Sequence, residues 1–227
     1  MFDYKYAYLF GNLVILFPLW LFFFLHRRDL KKKILLMSTA LGVVGPVSEI
    51  WYIRDYWHPQ TFTTWPIGLE DFLFGFFIGG IASVIYQELF NKRWSKSKIK
   101  SYPEFTFIMT LFALLVLRVF TRNLSINSIY ASLVIFVGVS GMILFFRRDL
   151  VIDAFLTALL VLSIAFLGYL VFLYIYPEVV QKWWVLENIS GILIFGIPIE
   201  ELMWAFGLGL FVGPCYEFFA GLRLLKK

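Results

Sequence analysis

Long apolar runs recur along the whole of this 227-residue chain, and they constrain its fold more than any other feature. Each run has about 18 residues or more, which is the length that an α-helix needs to cross a bilayer. Only 15% of the residues are charged, whereas a typical soluble domain has about 25%. We therefore predict an all-α membrane protein with seven transmembrane helices, at roughly 6–25, 34–53, 69–90, 104–120, 127–146, 151–175 and 190–220.

The positive charge of the chain lies mainly in the connectors between these runs. When alternate connectors are assigned to opposite sides of the membrane, one side holds 15 of the 20 Lys and Arg residues and the other holds five. Cytoplasmic loops are enriched in Lys and Arg, so we expect the N-terminus outside and the C-terminus in the cytoplasm. We interpret the basic connectors as topology signals that contact anionic membrane lipids. They do not indicate a nucleic-acid partner, despite the pI of about 9.2.

Metal and disulfide chemistry would have few residues to use in this sequence. Cys215 is the single cysteine, which excludes an intramolecular disulfide and a metal site built on cysteines. The two histidines, His26 and His58, lie in different connectors. We therefore expect no metal.

The two ends of the chain carry similar sequences. FFFLHRRDL at 22–30 is echoed by MILFFRRDL at 142–150, and GLEDFLF at 68–74 is echoed by PIEELMW at 198–204. The similarity predicts that two copies of one three-helix unit make up most of the chain.

The predicted plan has a first repeat at 1–92, a basic loop with a linker helix at 93–125, and a second repeat at 126–227. Four helices separate equivalent elements, so both repeats insert in the same orientation and are related by an axis along the membrane normal. Equivalent residues of the two repeats are then expected on the same outer side of the membrane, around a common space.

Two pairs of adjacent carboxylates, Glu70–Asp71 and Glu200–Glu201, interrupt the apolar runs at equivalent places in the two repeats. Ionisable side chains are costly in hydrocarbon, which makes them functional candidates. Acidic residues also stabilise the start of a helix, and this is the structural alternative. Because the pair occurs twice, we interpret all four residues as candidate catalytic groups at helix starts. A carboxyl group in a dry aromatic pocket can act as a proton donor.

Aromatic residues make up 21% of the chain. They form belts at membrane surfaces and pack helix interfaces, and their ring faces also stabilise positive charge. The candidate substrate-binding residues flank the carboxylate pairs or share the same half of the membrane, and they are Glu49, Trp57, Trp65, Phe74, Trp183, Trp184 and Trp204.

With its two three-helix halves and its P-x-E-E motif, the chain resembles the heterodimer-type lycopene cyclases of bacteria and their fused archaeal and fungal relatives. PIEEL at 198–202 matches the motif fully. GLEDF at 68–72 has Gly68 in place of Pro and Asp71 in place of Glu, which shortens the reach of that carboxylate. The resemblance covers nearly all of the chain apart from the linker helix and the termini.

The resemblance implies an isomerase that cyclises a linear carotenoid such as lycopene, without net redox, in a prokaryotic cytoplasmic membrane. An acid protonates the ψ-end of the carotenoid, the cation closes to a ring, and a base removes a proton. The resemblance also implies membrane lipids and other carotenoid-pathway enzymes as partners. The sequence has no dinucleotide fingerprint after a strand, so neither FAD nor another cofactor is expected.

Three other functions are compatible with parts of the sequence. Seven helices in a three-one-three order resemble the SWEET transporters of small solutes, although the fifth and sixth helices lack the prolines on which those transporters rely. A carotenoid hydratase would add water to the same cation. A cyclase of C50 carotenoids would use the same acid and base on a longer substrate.

Overall fold

The computed structural model describes residues 3–63, 65, 67–95 and 100–226, with Lys226 described in its backbone alone. Within this part of the chain, seven helices are long and apolar enough to cross a membrane, which confirms the predicted class. They are α1 Tyr4–His26, α2 Arg28–Asp55, α3 Leu69–Leu89, α4 Phe105–Asn123, α5 Ser128–Phe146, α6 Arg148–Ile175 and α8 Ile199–Ala220. A short helix, α7 Val179–Trp183, precedes α8.

Short strands occur between the long helices and after the last one, although the sequence predicted an all-α fold. They are β1 Lys92–Trp94, β2 Leu193–Ile194, β3 Ile197–Pro198 and β4 Leu224–Lys226, and β1 pairs antiparallel with β4 and β2 with β3.

The predicted start of the last helix at residue 190 is wrong, because residues 193–198 form the β2–β3 hairpin and α8 begins at Ile199. Phe195 (φ +53°) and Gly196 (φ +85°) occupy the turn. Left-handed backbone at both central positions is the requirement of the tight hairpin turn that matches strand twist. The expectation that each carboxylate pair opens a helix is confirmed, since both pairs lie in the first turns of α3 and α8.

The chain folds into two compact units. The first comprises the residues up to Ile81 together with Ser163–Leu202, and it holds both carboxylate pairs. The second comprises Ala82–Leu162 and the residues from Met203 onward.

In the first unit, α2 and α3 pack in antiparallel directions with their backbones almost in contact. A Cβ atom on Gly75 would overlap the carbonyl of Leu41, and a Cβ atom on Gly45 would overlap the carbonyl of Asp71. Residue 45 of α2 is therefore level with residue 71 of α3. Glycine is required here because only a residue without Cβ permits this approach.

In the second unit, a buried core of Met109, Val139, Ile143, Leu150 and Phe218 joins α4, α5, α6 and α8. Arg147 follows α5, and its guanidinium donates to the carbonyls of Glu217 (3.1 Å) and Leu222 (2.6 Å) beyond the core. These bonds satisfy the carbonyl of Glu217 in the last turn of α8 and the carbonyl of Leu222, which follows the helix.

The two RRDL sequences have the same local structure. Arg27 forms two hydrogen bonds of 2.9 and 2.8 Å with Asp29, and Arg147 forms two of 2.9 Å with Asp149. Each turn ends on a buried leucine, Leu30 or Leu150. This agreement supports an internal repeat, while the parallel arrangement of the repeats and the linker role of α4 stay predictions.

Candidate active site

Glu201, in the first turn of α8, is held by three donors within the first unit. Its Oε1 accepts hydrogen bonds from the Tyr56 hydroxyl (2.5 Å) and the Trp184 indole N–H (2.9 Å). Its Oε2 accepts a hydrogen bond from the Tyr169 hydroxyl (2.6 Å). Because all three partners donate, the arrangement fits a carboxylate, which only accepts.

Tyr56 lies just beyond the end of α2 and is almost fully buried. Burial raises the pKa of Tyr56 well above its ordinary value, and the nearby Glu201 carboxylate raises it further. Tyr56 therefore keeps its hydroxyl proton and stays a donor to Glu201.

A short antiparallel bridge between two distant loops positions two of these donors, Tyr56 and Trp184. Residues 56–58 pair with residues 183–185 through two backbone hydrogen bonds of 2.6 and 2.9 Å. Trp57 and Trp184 are the directly paired residues, and their ring centroids lie 5.3 Å apart. The bridge brings residues that follow α2 next to residues that precede α8.

Asp71, in the first turn of α3, contacts a helix start and an aromatic hydroxyl. Its Oδ2 accepts a hydrogen bond from the backbone N–H of Gly68 (2.8 Å), which leaves Oδ1 buried and without a partner among the described residues. The Tyr8 hydroxyl of α1 is also hydrogen-bonded to the Asp71 carboxyl group. Asp71 thus combines a capping contact with a contact to the interior of the first unit.

Glu49 of α2 completes a group of three carboxyls. It is only 3% exposed, and its side chain is hydrogen-bonded to Trp57. It interacts electrostatically with both Asp71 and Glu201. Carboxyl groups from α2, α3 and α8 therefore lie within electrostatic range of one another around Glu49 in the first unit.

The other two predicted catalytic residues hold loops. The buried Glu70 accepts a hydrogen bond from the backbone N–H of Phe62 (2.5 Å), and the buried Glu200 accepts one from the backbone N–H of Ser190 (2.9 Å). In each case the first carboxylate of the pair fixes the loop that leads into the helix. This repeated contact is a structural role that differs from helix capping, because the donor N–H lies in the loop and not in the first turn of the helix.

The predicted substrate-binding aromatics lie in several places. Trp183 is 2% exposed, and Phe74 packs on Tyr8 with ring centroids 6.3 Å apart. Trp65 is 72% exposed. Trp204 belongs to the second unit, where its ring lies edge-on to Phe136 at 5.7 Å. A substrate-binding role for these residues stays a prediction.

Residues 127–219 match the family model for lycopene cyclase. The second half of the chain is therefore similar to the lycopene cyclases. This similarity supports an enzyme that acts on carotenoids. Comparison with curated proteins and with solved structures gave no match.

The segment that matches the lycopene cyclase family contributes only part of the carboxyl group cluster. It contains Glu201 with two of its donors, Tyr169 and Trp184. Asp71 and Glu49 come from the first half of the chain, outside the matched segment. Among the described residues, no group of three or more His, Cys, Asp or Glu side chains is arranged to hold a metal ion.

Sequence reasoning missed the three tyrosines that contact the carboxyl groups, which are Tyr8, Tyr56 and Tyr169. One signal for Tyr169 is present in the repeat, because it lies 22 residues after Arg147, as Glu49 lies 22 residues after Arg27. A polar residue at the same place in both repeats was a clue to the site. Tyr56 had no comparable signal, because its contact with Glu201 depends on the bridge between distant loops.

Proposed function

We propose that the chain is a carotenoid cyclase that closes the ψ-end group of a linear carotenoid such as lycopene to an ionone ring. The observation that carries the proposal is the convergence of Glu49, Asp71 and Glu201 from three helices among buried tyrosine and tryptophan side chains. The match of residues 127–219 to the lycopene cyclase family model supports a carotenoid as substrate.

The proposed reaction is an isomerisation with no net redox change. A carboxylic acid transfers its proton to C2 of the C1=C2 double bond, which leaves a tertiary cation at C1. The electrons of the C5=C6 double bond then form the C1–C6 bond and move the cation to C5. A carboxylate removes a proton from a carbon next to C5, so the proton count of substrate and product is unchanged.

We assign the acid to Asp71 and the base to Glu201. An acid that protonates a substrate needs an oxygen that is not already hydrogen-bonded. Oδ1 of Asp71 is buried and has no partner among the described residues. The three donors around Glu201 suit a carboxylate that is fixed before the cation forms. Glu70 and Glu200 are assigned to holding the loops, in agreement with their backbone partners.

Aromatic rings next to these carboxyl groups would stabilise the cation between the two proton transfers. Trp57 and Trp184 are closest to this role, since each is hydrogen-bonded to one carboxyl group of the cluster. Ring faces attract positive charge by about 2 kcal/mol or more when the contact is desolvated. We place the protein in a prokaryotic cytoplasmic membrane with its N-terminus outside, which puts the cluster on the outer side with access for a lipid-soluble substrate.

The test is expression in a bacterial host that accumulates lycopene, followed by chromatography of the pigments. Cyclic product is expected from the wild-type chain, and little or none from Asp71→Asn or Glu201→Gln. Glu70→Gln and Glu200→Gln are the matched controls, and each should keep more activity because glutamine still accepts the backbone hydrogen bond. Unchanged lycopene at normal protein levels would refute the cyclase assignment, and hydroxylated acyclic products would identify a hydratase instead.

A further inference from the structure

Glu49 is a buried acidic residue that the proposed acid–base pair does not use. It is 3% exposed in a membrane-spanning helix, and its Oε1 has no hydrogen-bond partner among the described residues. An ionised carboxyl group in such a place is energetically costly. A carboxyl group found there is therefore expected to be neutral or to have a functional role.

The packing of α2 on α3 directs Glu49 toward Asp71. Because residue 45 of α2 is level with residue 71 of the antiparallel α3, the Cα of Glu49 lies about one turn beyond Asp71 toward the start of α3. Side chains tilt toward the N-terminus of their own helix. In antiparallel helices these tilts oppose each other, so the two side chains approach one another, in agreement with their electrostatic interaction.

We infer that Glu49 and Asp71 share one proton, and that Glu49 acts as a positioning residue that keeps Asp71 loaded as the acid. This inference rests on the proposed cyclase function. Both groups are buried, and each has one oxygen without a partner among the described residues. Ionising both at once would place two like charges together in a medium of low dielectric constant, so one proton stays with the pair.

The pair regains the proton that it gives to the substrate, so the reaction cycle needs no other proton source. When Asp71 transfers the proton to C2 of the carotenoid, the pair becomes doubly charged beside the new cation, which it stabilises. Glu201 removes a proton from the ring and returns it to the pair through Glu49, with which it interacts electrostatically. Trp57 keeps Glu49 in place through its hydrogen bond.

Other titratable groups face the pair, and the test must separate their effects. They come from α1, α3 and α8, and they are Tyr8, Glu70 and Glu201. Tyr8 interacts electrostatically with both Asp71 and Glu49, so the contribution of Glu49 is isolated by comparing Glu49→Gln with Glu49→Asp, which keeps the carboxyl group.

The experiment measures initial rates of cyclisation against pH in membranes that contain wild-type protein, Glu49→Gln or Glu49→Asp. Glutamine has a similar shape but carries no charge, so in Glu49→Gln the acid loses its proton more easily. The alkaline limb of the rate profile should move to lower pH by about one unit or more, the order expected for adjacent like charges. Glu49→Asp should restore most of the wild-type profile. Glu187→Gln, at an exposed glutamate, is the matched control and should leave the profile unchanged.

The outcomes distinguish this inference from the proposed function. If the wild-type chain makes no cyclic carotenoid, the function itself is refuted. If the wild-type chain is active and Glu49→Gln has the wild-type profile, or loses activity equally at every pH, the shared proton is refuted and Glu49 has a structural role or none.

Discussion

The hydroxyl of Tyr169 donates a hydrogen bond to Oε2 of Glu201. Removing this hydroxyl tests the role of the Glu201 carboxylate. Tyr169→Phe deletes one oxygen atom and leaves the ring in place, so it creates no large cavity. A hydrogen bond to a charged group contributes about 1.5–3 kcal/mol. Glu201 is half-buried and keeps its two donors on Oε1, so we expect the lower part of that range, about 1.5–2 kcal/mol. A rate changes tenfold for each 1.36 kcal/mol, so the rate of cyclisation should fall roughly 10- to 30-fold.

The assay is the initial rate of lycopene consumption in membranes, normalised to the amount of protein. Tyr174→Phe is the matched control, because Tyr174 lies on the same helix but is 90% exposed. In a Glu201→Gln background, Tyr169→Phe should cause little further loss, since residues that act through one contact are not additive. Equal rates for the Tyr169→Phe and Tyr174→Phe proteins would refute the argument that Tyr169 acts through Glu201.

Two further predictions concern stability. Gly75→Ala places a methyl group against the carbonyl of Leu41 and should destabilise the protein by about 1–3 kcal/mol. Gly141→Ala is the control, because its methyl group meets no atom within 4 Å. The two variants are compared by thermal unfolding in detergent, and equal midpoints would contradict the close packing of α2 on α3. The raised pKa of Tyr56 stabilises the folded state fully below its ordinary value of 10.0, and this contribution is lost as the pH rises through the folded pKa. Wild-type protein should therefore lose stability above pH 10 more steeply than Tyr56→Phe, and parallel curves would show that Tyr56 is not linked to folding.

Much of the fold could be predicted from hydrophobic runs, because the membrane permits few alternatives to a helix. The long helix within α6 was predicted at 151–175 and is found at Val151–Ile175. The start of α8 was misplaced because residues 190–198 are as apolar as the helix that follows, so hydropathy alone could not separate them. Gly196 and Pro198 were the local signals, and the positive φ of Gly196 is what the turn uses.

The positions of the carboxylate pairs in the candidate site could be predicted from the sequence, but their different hydrogen-bond partners could not. The pairs Glu70–Asp71 and Glu200–Glu201 were found from their duplication, which is visible in one dimension. Two donors to Glu201, Tyr56 and Trp184, depend on pairing between residues 56–58 and 183–185, which are far apart in the chain. Long-range pairing of this kind leaves no periodic pattern in the sequence, so the donors to Glu201 could not be assigned.

The equivalent positions of Glu49 and Tyr169 agree with the two opposite proton transfers that we propose for the two similar halves. Each lies 22 residues after the first arginine of its RRDL sequence. In the first half this position holds an acid beside Asp71, which favours retention of a proton, and in the second half it holds a donor to Glu201, which favours a carboxylate. A reaction that begins and ends with proton transfer needs one carboxyl group of each kind at the same time. The exchange Glu49→Tyr should therefore move the alkaline limb of the rate profile to lower pH, as Glu49→Gln does, while leaving Glu201 and its three donors intact.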